Sequence, residues 1–205
     1  MLHSTGKGFV LDEVVPNPEY AIVGDAPSKA EVEQGKLLVG SAGFVTKAWI
    51  MKAVPTIQVA YEKKRVSVCN ILKCLPPEQQ GKAYPTGETR AKAEEHCSQY
   101  LNMGSPRVVL LCGEAAQRRF FGDELAREDV IDRASGRDVK GVFGRVGRVY
   151  EKDGVRYVFA PNPAAILKQP ALVGFSQEAF KIAAGVEKVV EPEMRHWREA
   201  MAELL

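Results

Sequence analysis

The chain has 205 residues, of which 45% are hydrophobic and 26% charged, and its formal net charge is +2. These values fit one globular domain, and so small a net charge does not by itself indicate a nucleic-acid partner. Because no apolar run approaches the roughly 20 residues of a membrane span and the first residues lack the apolar stretch of a signal peptide, we expect a cytoplasmic protein without a membrane partner.

Apolar runs and helical patterns alternate along the chain. Apolar, often β-branched runs predict strands over 20–23, 65–70 and 108–112. Helical spacing predicts helices over 44–54, 89–103, 113–121, 176–185 and 191–205, and a Pro- and Gly-rich loop covers 75–87. Residues 142–160 are typical of a hairpin that turns at Lys152-Asp153-Gly154. Strands separated by helices favour right-handed crossovers, so we predict an α/β fold with a mainly parallel sheet.

The first predicted strand stops at Gly24, and a carboxylate, Asp25, follows at once. Pro27 then fixes the backbone, and a loop with glycines at 35, 40 and 43 leads into a helical pattern. In open α/β sheets, ligands bind at the carboxyl ends of the strands. Asp25 is therefore a candidate catalytic acid, although it could also only cap the turn that follows.

Polar side chains also stand at the ends of later strands. Asn70 closes the second strand, Gly113 follows the third, and Asn162 follows the strand that ends the hairpin. A side-chain amide offers both a hydrogen-bond donor and an acceptor, which suits the edge of a pyrimidine. Each asparagine could instead be a turn residue.

The segment 133–148 combines basic residues with glycines. Its cations are Arg133, Arg137, Lys140, Arg145 and Arg148. Basic side chains on a flexible backbone suit contacts with phosphates. A solvated hairpin with its approach loop explains the same composition, so both interpretations stay open.

Four motifs in order resemble the uracil-DNA glycosylase superfamily, most closely its iron–sulfur branch from bacteria and archaea. That branch reads Gly-Glu-x-Pro-Gly where this chain has Gly-Asp-Ala-Pro-Ser at 24–28, and Gly-Arg-Pro-Phe-Val-Gly-x-Ala-Gly where it has Gly-Lys-Leu-Leu-Val-Gly-Ser-Ala-Gly at 35–43. Its Thr-Asn-x-x-Lys-Cys-x-Pro-Pro matches 69–77, and its His-Pro-Ala matches Asn-Pro-Ala at 162–164. The resemblance covers about 20–185 and implies a three-layer α/β/α sandwich, with 1–205 forming a single domain.

The resemblance also implies a mechanism. Such an enzyme flips a nucleotide out of the DNA helix, because the glycosidic bond is out of reach inside the stack. Asp25 takes the role of the carboxylate that orients water and offsets positive charge on the sugar. Asn70 takes base recognition, and Asn162 stands where a donor stabilises the leaving base.

Further residues take roles from the same resemblance. Base contacts fall to Leu38, Ala26 and Pro27. Ile166 and Leu167 could wedge into the vacated stack, and DNA contacts fall to Ser28, Lys29, Gly113, Pro163, Ala164, Lys168, Arg145 and Arg148. We expect the two tryptophans, Trp49 and Trp197, to be packing anchors.

The chain departs from the family at four of these positions. Asp25 replaces a glutamate, Leu38 replaces a stacking phenylalanine, Asn162 replaces a histidine, and Ser28 replaces a glycine. An aliphatic side chain gives no π-stacking, and a neutral amide stabilises a leaving anion less than histidine does. We therefore expect a preference for a modified or mispaired pyrimidine over plain uracil, in single- or double-stranded DNA, and a monomeric protein.

Iron–sulfur ligation is incomplete in this sequence. Cys74 and Cys97 match the later pair of cluster cysteines in the family, but no cysteine precedes Cys69. A four-iron cluster needs four ligands, so we expect no cofactor unless further ligands lie outside this chain. Cys69 and Cys112 are predicted as small buried strand residues, and no cysteine is expected in a disulfide.

Three functions remain open from the sequence. The first is a glycosylase that hydrolyses the N-glycosidic bond and leaves an abasic site. The second is an enzyme of a phage hypermodification pathway that uses the same pocket to change the base instead of removing it. The third is a DNA-binding relative without catalytic activity.

Overall fold

The computed structural model describes residues 9–74, 87–122, 130–132, 137–139 and 146–186. The helix predicted over 191–205 and nearly all of the loop predicted over 75–87 lie outside these residues, as does Arg145. Within the described residues, no helix is long and apolar enough to span a membrane.

A five-stranded sheet forms the centre of the fold, in the order β2-β1-β3-β7-β6. The first four strands in this order are parallel to their neighbours, and β6 is antiparallel to β7. A separate antiparallel pair, β4 and β5, was not predicted. The strands are β1 Tyr20–Gly24, β2 Val66–Asn70, β3 Val108–Cys112, β4 Val130–Asp132, β5 Arg137–Val139, β6 Val149–Lys152 and β7 Val155–Ala160. The predicted mainly parallel sheet is thus confirmed.

Seven helices accompany these strands in the described part of the chain. They are α1 Lys29–Gln34, α2 Gly40–Val45, α3 Pro55–Glu62, α4 Gly87–Ser98, α5 Glu114–Phe121, α6 Pro163–Ile166 and α7 Leu172–Ala183. Helix α2 runs on into a π-helical turn, Thr46–Ile50, and a 3-10 turn, Met51–Ala53. The helix predicted over 44–54 therefore begins four residues earlier, whereas α1, α3 and α6 were not predicted.

Alternate residues of each central strand face opposite sides of the sheet. In β1, Tyr20 and Ile22 face a core built with α2, α3 and α7, whereas Ala21 and Val23 face a second core built with α5. Helices thus cover both faces of the sheet, which confirms the three-layer α/β/α sandwich. Burial on both faces explains why these strands read as continuous apolar runs in the sequence.

Strand order fixes where a ligand can enter. Because β1 lies between β2 and β3, the chain moves to one side of β1 first and crosses to the other side later. In doubly wound sheets, the crevice at the carboxyl end of the strands where this reversal occurs is the usual binding site. That crevice lies between Gly24, which ends β1, and Cys112, which ends β3.

The outer edge of β2 is covered by the chain that precedes β1. Phe9 pairs with Cys74 and Glu13 pairs with Val68, both antiparallel. The Val10 amide donates to the Lys73 carbonyl at 2.7 Å, and the Glu13 amide donates to the Val68 carbonyl at 2.8 Å. This cover contributes Asp12 to the surroundings of Asn70.

Candidate active site

Asp25 lies directly after β1 and receives two hydrogen bonds from distant parts of the chain. The Ala116 backbone N–H donates to Oδ1 at 3.1 Å, and Nδ2 of Asn162 donates to Oδ2 at 3.0 Å. Ala116 belongs to the first turn of α5, where unpaired amides and the helix dipole favour an anion. Both contacts stabilise the negative charge of the carboxylate and fix its position in the crevice between β1 and β3.

Gly113 makes this close approach possible. It precedes α5 with φ +113° and ψ 174°, a conformation open almost only to glycine. A Cβ atom built on Gly113 would lie 2.6 Å from Oδ1 of Asp25 and 2.7 Å from its Cγ. The glycine is therefore required by the carboxylate beside it. The sequence assigned this helix terminus to a DNA phosphate, but the anion that occupies it is Asp25.

Asn162 is held at both ends of its side-chain amide. It is the N-cap of α6, with Oδ1 accepting the Ala164 backbone N–H at 2.9 Å, and Pro163 occupies the first helical position. This cap turns Nδ2 towards Asp25. Since Nδ2 carries two hydrogens, the contact with Asp25 leaves one N–H for a second acceptor.

Asn70 ends β2, and both of its backbone polar groups are bound by one buried ion pair. Nζ of Lys73 contacts the two carboxylate oxygens of Asp12 at 2.6 and 2.7 Å and donates to the Asn70 carbonyl at 2.6 Å. Oδ1 of Asp12 in turn accepts the Asn70 N–H at 3.2 Å. At Asn70 the ion pair thus takes the place of the backbone partner that Glu13 provides for Val68.

The Asn70 side chain lies against the end of β1. A Cβ atom at Gly24 would come within 2.5 Å of Oδ1 of Asn70, so glycine leaves the space for this amide. The backbones join here too, since the Ile71 and Leu72 amides donate to the Gly24 and Asp25 carbonyls, each at 2.9 Å. Within the described residues, the Asn70 side chain makes no hydrogen bond, and the residue is 8% exposed.

The segment between Asp25 and α2 is held in place by hydrogen bonds to Glu31. Ser28 caps α1, and its amide donates to Oε2 of Glu31 at 2.6 Å, completing a capping box. Oε1 of Glu31 accepts the Leu38 amide at 2.6 Å. Leu38 has a left-handed φ of +51° and packs in the main core, and Pro27 is buried as well. The structure thus gives Ser28 a capping role and Leu38 a packing role.

Residues assigned to DNA differ in accessibility. Ile166 is 1% exposed and belongs to the main core, which removes it as a wedge, whereas Leu167 is 49% exposed. Ala164, Lys168 and Lys29 are exposed, and Pro163 and Arg148 are partly buried. Ala26 is partly buried and packs beside Leu72 and Cys97. Of the predicted wedge residues, only Leu167 can reach a ligand.

The cysteines do not form one cluster of ligands. The Cys74 and Cys97 thiols share a hydrogen bond, which together with burial raises the pKa of Cys74. Cys69 lies apart from this pair, on β2, and its thiol donates to the Asn102 carbonyl at 3.1 Å. Cys112, on β3, is buried behind Asp25, and burial, followed by the Asp25 charge, raises its pKa to about 12. All four are free thiols.

These positions do not fit the four-thiolate cluster that the resemblance implies. Cys74 and Cys97 supply two adjacent ligands, and the described residues contain no group of three or more His, Cys, Asp or Glu side chains that could hold a metal ion. We therefore derive no catalytic step from a metal.

Two contributors to the site were not predicted from the sequence. The Ala116 amide is a backbone group, so only the position of Ala116 in the first turn of α5 could have indicated it. Asp12 reaches Asn70 from 58 residues away. Lys73, by contrast, stood within the matched motif, although no role was assigned to it.

Comparison with known proteins agrees with this geometry. A family model described as the uracil DNA glycosylase superfamily matches residues 11–184. The chain is 27% identical over 195 residues to the type-4 uracil-DNA glycosylase of Pyrobaculum aerophilum, covering 93% of this chain and 90% of that protein. It is 24% identical over 173 residues to the type-4 uracil-DNA glycosylase of Sulfurisphaera tokodaii, covering 84% and 71%.

Proposed function

Because the chain belongs to the uracil DNA glycosylase superfamily, we propose that it is a DNA glycosylase that hydrolyses the N-glycosidic bond of a flipped pyrimidine. Both relatives named above are uracil-DNA glycosylases. DNA is then the partner, and the products are a free base and an abasic site.

The observation that carries this proposal is the contact between Asp25 and Asn162. Their hydrogen bond of 3.0 Å joins the end of β1 to the start of α6, so that a carboxylate and an amide donor face the same crevice. In the proposed reaction, the oxygen of a water molecule bonds to C1′ of the sugar and gives a proton to Asp25. The bond from C1′ to the base nitrogen breaks, and its electron pair leaves with the base.

The two asparagines divide the recognition of the base. The side-chain amide of Asn70 would read the donor and acceptor pattern of the pyrimidine edge. The remaining N–H of Asn162 would donate to the departing base, where negative charge develops. The Asp25 carboxylate would meanwhile offset the positive charge that develops on the sugar.

We further propose that the preferred base is not plain uracil. Leu38 stands where the family has a stacking aromatic ring, and its side chain packs in the core. Asn162 offers a neutral amide where the family has histidine. Both changes weaken support for the leaving uracil anion, which favours a modified pyrimidine that departs more easily or a mispaired one that flips at lower cost.

A panel of oligonucleotides tests the proposal. It carries uracil, hypoxanthine, thymine mismatches and 5-substituted pyrimidines, and alkali-labile strand breaks report excision. We expect breaks with at least one pyrimidine and their loss in Asp25→Asn, which keeps the shape but removes the charge. Asp153→Asn, the same exchange at an exposed residue in the turn between β6 and β7, serves as a matched control. Absence of breaks from every substrate contradicts the proposal.

A second candidate uses the same pocket to modify the base. It is favoured because two family residues that support the leaving base are replaced in this chain: Leu38 stands in place of an aromatic residue, and Asn162 in place of a histidine. In that reaction Asp25 would activate a nucleophile other than water. Mass spectrometry of nucleosides from the same digests separates the two, because modification changes the mass of a base and excision removes it. A non-catalytic relative would neither modify nor excise a base, and its Asp25→Ala variant would bind DNA as tightly as the wild type.

A further inference from the structure

Two exposed aromatic side chains contact each other on the helical segment 40–53. The ring centroids of Phe44 and Trp49 are 6.5 Å apart, and the rings meet edge to face at 71°. Phe44 is 59% exposed and Trp49 is 47% exposed, so Trp49 is not the buried packing anchor that the sequence suggested. Large aromatic residues that remain in contact with water often mark a binding surface.

The backbone is shaped in a way that brings the two rings together. Residues five apart lie on different faces of an ordinary α-helix, where same-face neighbours are three or four apart. Phe44 and Trp49 meet because Trp49 belongs to the π-helical turn Thr46–Ile50, which follows Phe44 and has more residues per turn than an α-helix. Such turns are rare and frequently occur at functional sites. A hydrogen bond of 2.8 Å from Nε2 of Gln177 to the Trp49 carbonyl holds the turn against α7.

The surroundings of this pair favour a polyanion. No Asp or Glu occurs between Glu33 and Glu62, while Lys47 and Lys52 are exposed on the same helical segment. Helix α6 packs against α2, and the chain around α6 also lacks Asp and Glu, from 154 to 177. Cations without carboxylates in these two stretches attract phosphates. On α7, the acidic residue Glu178 directly follows Gln177.

We propose that Phe44, Trp49, Lys47 and Lys52 form an aromatic surface that binds an unpaired stretch of the DNA strand carrying the target base. Unpaired bases stack on the rings, and the lysines neutralise the neighbouring phosphates. Bases of a duplex are already stacked on each other, so they offer the rings no free face. Helix α2, which carries Phe44, packs against α6, which begins just after Asn162, so this helix contact links the surface to the candidate active site. The inference rests on the proposed function in taking DNA as the substrate.

Trp49 can report its own contact with DNA. The chain has two tryptophans, so Trp197→Phe leaves Trp49 as the single tryptophan, which can be excited selectively in the presence of the tyrosines. We expect a short oligothymidylate to quench this fluorescence and its duplex with oligoadenylate to quench it much less. Trp49→Ala and Phe44→Ala should each weaken binding of the oligothymidylate by about fivefold to a hundredfold, as measured by anisotropy of a labelled strand.

A matched control comes from a second exposed aromatic pair. Tyr100 is 57% exposed and contacts His96 edge to face at 5.7 Å, but Glu94 and Glu95 lie beside His96 in the chain. Tyr100→Ala should leave binding unchanged. Lys47→Gln should lower the slope of log affinity against log salt by about 0.7, the value for one phosphate contact on a single strand.

The outcomes separate this inference from the proposed function. Binding that depends on Trp49 without excision of any base would support the aromatic surface and contradict the glycosylase. Excision with unchanged binding in Trp49→Ala and no quenching would overturn the aromatic surface alone. A change of oligomeric state in Trp49→Ala, with DNA binding intact, would assign the surface to a second copy of the chain and also overturn it.

Discussion

Substitution of Gly113 by alanine tests whether the position of Asp25 matters for the reaction. The Cβ atom would lie 2.6 Å from Oδ1 of Asp25 and closer still to Oδ2, whereas ordinary contacts begin near 3.4 Å, so the carboxylate must retreat by at least about 0.8 Å. Starting from 3.1 Å to the Ala116 amide and 3.0 Å to Asn162, such a retreat breaks at least one hydrogen bond. A misplacement of about 1 Å can slow a reaction roughly a hundredfold.

Gly122 provides the matched control. The two glycines flank α5, and both have positive φ with ψ near 180°, at +113° and +69°. A Cβ atom on Gly122, however, meets nothing within 4 Å. Backbone strain should cost each variant about 1–3 kcal/mol of unfolding free energy, but only Gly113→Ala should displace Asp25.

Single-turnover excision on the best substrate, together with urea unfolding, measures both effects. We expect Gly113→Ala to lose about two orders of magnitude in rate and Gly122→Ala to keep the wild-type rate while losing similar stability. Equal rates for the two variants would refute the reasoning, because they would show that the reaction does not require Asp25 in its observed place.

Three further predictions follow from the same geometry. Asn162→Asp keeps an oxygen that can cap α6 but places a second carboxylate against Asp25. The rate of excision should fall at least about a hundredfold, while circular dichroism shows an intact fold, and a variant that stays active would contradict the proposed donor role of Asn162. Ser28→Ala should lose about 1 kcal/mol of unfolding free energy through the broken capping box with Glu31, without raising KM for DNA, whereas a raised KM would restore Ser28 as a phosphate contact. Burial and the Asp25 charge raise the pKa of Cys112 from 9.0 to about 12, so above about pH 9 the unfolded chain loses a proton that the native thiol keeps, and the free energy of unfolding should fall as pH rises. Urea unfolding of Cys112→Ala should show a shallower fall with pH, and a fall identical to that of the wild type would contradict this cause.

The sheet was largely predictable because of the way it is covered. Strands buried on both faces must be apolar throughout, so β1, β2 and β3 stood out as runs in the sequence. Helices α1 and α3 are short, and their signals are caps rather than periodic patterns. Ser28 with Glu31 forms the capping box of α1, and Pro55 occupies the first position of α3.

The positions of the candidate site residues were predictable where the strand topology determines them. Asp25, Asn70 and Asn162 each follow a strand, and the carboxyl ends of parallel strands meet at one edge of a sheet. Side-chain partners were not predictable in the same way. The Lys73–Asp12 pair depends on contact between residues 61 positions apart, which leaves no local pattern.

The left-handed backbone of Leu38 was also beyond the sequence. It arises from two contacts made by neighbouring segments. Oε1 of Glu31 binds the Leu38 amide, and Gly43 permits so close an approach that a Cβ atom there would overlap the Leu38 backbone. Motif matching aligned Leu38 with a stacking ring, but its burial depends on this local geometry.

The short pairing of Phe9 and Glu13 with the outer side of β2 has a consequence for handling the protein. An uncovered edge strand offers its amides and carbonyls to any other extended chain, which promotes edge-to-edge aggregation. A shortened form that starts after Glu13 would expose β2 in this way and would also lose Asp12 from the buried pair with Lys73. Expression variants should therefore keep the stretch from Phe9 to Glu13.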